Sequence, residues 1–173
     1  MTMRWFWIDR YEEFRRCRDA TAIKAVTLAE EHLHDHFPGL PVMPNSLVLE
    51  GLAQTAGLLV IDAIDYARQV VLAKVSKSEF FFDAMPGDVL RYHVEILELN
   101  DSGSMVKATS MVGDRLQAEA ELVFGHIVEG GVVPKLMSRK ELMTWYDNLH
   151  VFEVAIDLDG SRVPYDRVPP EVN

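Results

Sequence analysis

Apolar and polar residues alternate along much of the second half of the chain. In LRYHVEILEL (Leu90–Leu99), Leu90, Tyr92, Val94 and Ile96 form one apolar face, with Arg91, His93 and Glu95 opposite. A period of two marks a half-buried strand. RLQAEAELVF (Arg115–Phe124) repeats it: Leu116, Ala118, Ala120, Leu122 and Phe124 are expected inward, and Gln117, Glu119 and Glu121 outward. MVKATSMV (Met105–Val112) is a strand between them, set off by a hairpin loop, NDSGS (Asn100–Ser104), and a tight turn, GD (Gly113–Asp114). ATAIKAVTL (Ala20–Leu28) and VVLAKVSKSEFFF (Val70–Phe82) read as two further strands, and MPGD (Met85–Asp88) as a turn.

PNSLVLEGLAQTAGLLVIDAIDYARQ (Pro44–Gln69) lacks that period and predicts a long helix. No proline interrupts it after Pro44, and Asn45 or Ser46 can cap it. It is apolar nearly all round until Asp62, so it needs cover on most sides. Strand, long helix, then antiparallel strands is an α+β order, with a sheet curved around one helix. Past Pro134, Ser138 and Glu141 have capping-box spacing for a short helix. The end, DLDGSRVPYDRVPPEVN, is rich in proline and charge and is expected to be irregular or disordered. The expected division is a domain over residues 1–133 and an extension over 134–173.

Composition narrows the function classes. A length of 173 residues favours one domain with a substantial core. A net charge of -10 argues against nucleic acid and against anionic membrane surfaces. The single cysteine, Cys17, allows no intramolecular disulfide, which fits a reducing compartment. The start, MTMRWFWIDRYEEFRRCRD, meets Asp9 and Arg10 too early for a signal peptide. The longest apolar stretch, Leu47 to Ile61, is shorter than the ~20 residues of a spanning helix. A soluble, cytoplasmic protein is expected.

The chemistry centres on Glu50, the only ionisable residue between Ser46 and Ile61. A buried carboxylate must find partners or take a proton. A capping role fails on register: the third position after Ser46 is Leu49, and after Asn45 it is Val48. Its helix neighbours Ala53, Gln54 and Gly57 make a small, faintly polar face. Three readings stay open: an acid/base group in a cavity, a member of a buried network, or a surface carboxylate. Upstream, His32, His34 and His36 alternate. On a strand they would share a face and suggest a metal site, but no cysteine is near, and exposed loop positions suit His32 and His34. His36 differs because Pro38, Pro41 and Pro44 stiffen the segment after it. A histidine held beside a helix start is a candidate general base.

These residues carry a family resemblance. HFPGLPVMPNSLVLEGLAQTAG (His36–Gly57) resembles the signature of the 3-hydroxyacyl-[acyl-carrier-protein] dehydratases of bacterial fatty acid synthesis, which have a hot-dog fold. The matching features are His36, Phe37-Pro38, Pro41-Val42-Met43-Pro44, Glu50 and Ala53-Gln54. AKVSKSEFFFDAMPGDVL (Ala73–Leu90) resembles a later strand and turn of the family, and the likeness runs from about Trp5 to Ile127.

The resemblance implies that His36 removes the C2 proton of a 3-hydroxyacyl thioester and Glu50 protonates the departing 3-hydroxyl. The backbone N–H groups of Asn45, Ser46 and Leu47 would face the enolate-like oxygen, and Gln54 would also line the site. Phe80, Phe81, Phe82 and Met85 would line an acyl tunnel, though plain core packing also accounts for them. No metal or organic cofactor is implied. The implied partners are an acyl carrier protein or CoA thioester and a second copy of the chain. His36 and Glu50 would come from different protomers of a homodimer, which can assemble further as a trimer of dimers. A departure is Asn45, where the family has glycine; asparagine is the next most tolerant of left-handed φ. An acidic carrier protein would need a local basic patch, for which Arg68, Lys74 and Lys77 are candidates. Two other readings share the fold: an acyl thioesterase and a non-catalytic acyl-binding protein.

Overall fold

The computed structural model describes residues 5–127 and 137–164. Strands β1 (Arg10–Arg15) and β2 (Asp19–Ala25) lead through a one-turn helix, α1 (His32–Asp35), to the long helix α2 (Asn45–Ala63). Strands β3 (Gln69–Phe80), β4 (Val89–Leu99), β5 (Gly103–Val112) and β6 (Arg115–Ile127) follow. Helices α3 (Arg139–Asn148) and α4 (Val151–Val154) and a two-residue strand, β7 (Ala155–Ile156), end the described chain. All seven strands form one sheet in the order β3-β6-β5-β4-β2-β1-β7. Every pairing is antiparallel except β1 with β7. This is the α+β hot-dog architecture.

The sheet packs against α2 through β2, β3, β4, β5 and β6. Alternation places Leu90, Tyr92 and Val94 of β4 in the core, with Ala118, Ala120 and Leu122 of β6. By length and composition α2 could cross a membrane, but it is the core helix here, with Leu52, Ala56, Leu59 and Val60 fully enclosed. Its far side is covered by β1 and the C-terminal segment. Tyr11 donates to the carbonyl of Thr55 (2.9 Å) and Tyr146 to that of Leu58 (3.3 Å). Burial raises the pKa of both phenols, so both stay donors.

Three expectations need correction. Helix α2 stops at Ala63 rather than Gln69, because Asp65 and Tyr66 take left-handed φ of 53° and 59°. The turn is pinned by Tyr66 donating to Asp62 (2.5 Å) and by the Arg16 guanidinium, which reaches Asp62, Asp65 and Asp157. In β6 the inward and outward roles of Leu116 and Gln117 are exchanged: Leu116 is exposed and Gln117 fully buried. A bulge opposite Ser110 and Met111 shifts the register there. The strand expected over Ala20–Leu28 ends at Ala25. The described part of the tail, Asp157 to Pro164, is irregular as expected, a turn closed by main-chain bonds. Asp157 N–H donates to Ser161 (2.8 Å), Val163 N–H to Ala155 (3.1 Å), and Gly160 supplies φ +83° at the bend. The rest of the tail lies outside the described residues. The capping box on α3 forms as expected, with Glu141 N–H donating to the Ser138 hydroxyl.

Candidate functional site

The three histidines do not share a strand face; His32 and His34 lie in α1 and His36 ends it. His34 is exposed and bonds the Leu28 carbonyl (2.9 Å). His32 is half-buried against the edge of Trp7, at 5.2 Å between ring centroids, so it is not a free loop histidine. Burial lowers its pKa. His36 is held differently. Its Nδ1 is 3.0 Å from the Val42 carbonyl, and the Val42 N–H returns to the His36 carbonyl (2.9 Å). A carbonyl only accepts, so Nδ1 carries the hydrogen and Nε2 keeps its lone pair. The ring also stacks on Phe37.

The proline segment that carries Val42 is tied to the loop after β3, because Met43 N–H donates to the Ala84 carbonyl (2.8 Å). That bond brings Phe80–Met85 beside the start of α2. Phe80 packs on the edge of the core, and Phe82 is half-buried under the Arg115 guanidinium, 4.0 Å from its ring centroid. Phe81 and Met85 are exposed in the single chain.

The cap expected from Asn45 or Ser46 is absent: Pro44 takes the N-cap position with no side-chain bond, and Asn45 and Ser46 are the first helical residues. The Pro44 carbonyl already accepts from Leu47 (2.9 Å) and Val48 (3.1 Å). The N–H groups of Asn45 and Ser46 are the ones at the helix start outside that bonding, and Leu47 is committed. Asn45 is not among the positive-φ residues, so replacing a glycine there strains no backbone.

Glu50 lies on the exposed part of α2 rather than in the core. One carboxylate oxygen accepts from Gln54 Nε2 (2.9 Å). Gln54 is itself fixed from both ends: its Oε1 accepts from the Trp7 N–H (2.9 Å) and its Nε2 donates to the Trp5 carbonyl (2.9 Å). Among the described residues, no hydrogen bond or ion pair joins His36 to Glu50 within one chain. Of the basic candidates, Lys77 pairs with Glu119 (2.5 Å) and Arg68 bonds the Asp101 carbonyl, leaving Lys74 exposed. Sequence reasoning missed the Val42 carbonyl and the Trp5 and Trp7 backbone groups. These are main-chain partners, and side-chain identity does not announce them.

Comparison with known proteins settles the lineage. The profile of the FabA-like domain matches residues 7–121. The chain belongs to the FabA-like family. A 3-hydroxyacyl-[acyl-carrier-protein] dehydratase FabZ of Desulforamulus reducens is 39% identical over 118 residues, spanning 68% of this chain and 83% of the relative. Among solved structures, smu.793 of Streptococcus mutans, bound to acetyl CoA, matches with TM-score 0.60 at 14% identity. The match covers 75% of this FabA-like chain and 96% of the other. A hypothetical thioesterase of Streptococcus pneumoniae with coenzyme A matches with TM-score 0.57 at 13% identity, over 70% and 88% of the two chains. These two likenesses establish the fold alone.

Proposed function

We propose that this chain dehydrates a 3-hydroxyacyl thioester, carried on an acyl carrier protein, to the trans-2-enoyl thioester in fatty acid or related lipid biosynthesis. The observation that carries the reading is the bond from His36 Nδ1 to the Val42 carbonyl, which leaves Nε2 as a ready base. His36 Nε2 takes the C2 proton. The 3-hydroxyl leaves from C3 with a proton from Glu50, as water, and the C2–C3 double bond forms. Solvent returns the proton from His36 to Glu50. Negative charge on the thioester oxygen is met by the Asn45 and Ser46 N–H groups at the positive end of α2. Phe80, Phe81, Phe82 and Met85 would flank the acyl chain.

The site is proposed to be shared between protomers, with His36 of one chain meeting Glu50 of the other. Glu50 and Ser46 are exposed on a helix whose other residues are buried or half-buried, and among the described residues β3 pairs on one side alone. Exposed Leu72, Phe81 and Met85 lie along and just beyond that edge, and Phe37 and Leu40 on the His36 loop. Residues 134–173 are proposed as an extension to the dehydratase unit. A soluble, cytoplasmic enzyme fits a chain in which the long apolar helix of the described residues, α2, packs against its own sheet.

Incubation with a 3-hydroxyacyl-pantetheine and with a plain acyl-pantetheine tests the reaction. Enoyl absorbance without free thiol supports dehydration. Thiol release from both would favour the thioesterase. Glu50→Gln with biological activity intact would favour a non-catalytic acyl-binding protein.

A further inference from the structure

The bulge in β6 places a fully buried glutamine beside the residues proposed to flank the acyl chain. Gln117 Nε2 donates to the Phe82 carbonyl (3.0 Å), and its main-chain carbonyl accepts from Phe81 (2.9 Å). The first bond fixes the amide, so Oε1 is an acceptor of known identity. That oxygen is buried with no donor among the described residues. Ser110 stands across from Ala118, the residue after Gln117, and its hydroxyl is also buried and unpartnered.

Buried polar groups are paired as a rule, because an unmade bond leaves the full desolvation cost. Gln117 Oε1 and the Ser110 hydroxyl lie on adjacent strands, and an unpaired amide oxygen is poor lining for a hydrocarbon chain. Gln117 Oε1 only accepts and the Ser110 hydroxyl can serve either way, so the complementary group must be able to donate. A ketone or ether offers nothing to Gln117; a hydroxyl can donate to it and accept from Ser110.

On the dehydratase reading, we propose that Gln117 and Ser110 determine specificity for acyl chains that carry a second hydroxyl beyond C3. The chain then acts on hydroxylated acyl thioesters in preference to saturated ones of the same length.

The test uses the full chain and 3-hydroxyacyl-pantetheine thioesters of one length, with a further hydroxyl moved stepwise along the chain, beside the unsubstituted compound. At one position the hydroxyl raises kcat/KM about tenfold or more over the plain substrate. Gln117→Leu abolishes that preference, bringing kcat/KM for the hydroxylated substrate down to the value for the plain one. Ser110→Ala, which keeps the Gln117–Phe82 bond, reduces the preference if the leucine variant does not fold. A plain substrate preferred to every hydroxylated one, or a preference that survives both variants, overturns the proposal. Calorimetry with acyl-pantetheines lacking the 3-hydroxyl separates the two claims. Tighter binding of the chain-hydroxylated compound, with no dehydration of any substrate, upholds the polar lining and refutes the dehydratase reading. Dehydration with equal binding does the reverse.

Discussion

His36 and Glu50 are each held by a group that has no other role in the proposed chemistry. Val42 fixes the imidazole tautomer through its carbonyl, and Gln54 holds one Glu50 oxygen while Trp5 and Trp7 hold Gln54. Gln54 is therefore a positioning residue. Gln54→Leu is expected to lower kcat by about tenfold with little change in KM, because an unheld carboxylate loses orientation rather than substrate affinity. An unchanged urea midpoint in the same variant would separate this role from a structural one. Two other histidines set a pH dependence of stability. Burial lowers the pKa of His32 and of His126. Unfolded, each takes up a proton near about 6.5; folded, only at lower pH. Between those values the unfolded chain holds more protons, so stability falls as pH drops through that window. Urea unfolding at pH about 7.5 and about 5.5 should show the loss, and His126→Gln should reduce it. The side chains proposed to carry the chemistry stand out in the sequence because the His36–Gln54 motif is long. The main-chain acceptors that orient them do not, since any residue supplies a carbonyl.

Helix α2 was legible as an element because nothing polar interrupts its apolar run. Its contact with the sheet depends on Gly51. A Cβ there would lie 2.5 Å from the Tyr92 ring and 2.8 Å from the Trp7 carbonyl. Gly51→Ala should destabilise by about 1–3 kcal/mol, although alanine is the better helix former, because the Tyr92 ring is fully buried and cannot step aside freely. Urea denaturation measures this directly. The end of α2 is anchored by Arg16, buried against Asp62 and also joined to Asp157 from the C-terminal turn. Arg16→Met leaves the buried Asp62 carboxylate without its cation and should cost about 3–5 kcal/mol in the same assay. Strand β1 was not legible. Tyr11 and Phe14, three apart, are both buried because a bulge lies between Tyr11 and Glu13, and the bulge erases the period of two. The exchange of Leu116 and Gln117 in β6 has the same cause. In both strands an irregular ladder, rather than composition, hid the inward positions.

At the scale of the whole molecule the two edges of the sheet differ. The β1 edge is closed by β7, with Val163 and Tyr146 buried behind it, so the C-terminal segment prevents pairing there. Among the described residues the β3 edge has no further strand and is mostly exposed, and exposed apolar residues lie in the stretch that follows β3 and in the stretch that follows His36. The proposed dimer has a second copy of the chain covering them, with Glu50 meeting the other chain's His36. Mixing His36→Ala with Glu50→Ala chains, after joint unfolding and refolding, tests this most directly. Random pairing makes half of the dimers mixed, and each mixed dimer rebuilds one of its two sites. The account predicts recovery of about a quarter of wild-type dehydration from two inactive preparations. A mixture no more active than either variant alone would contradict it.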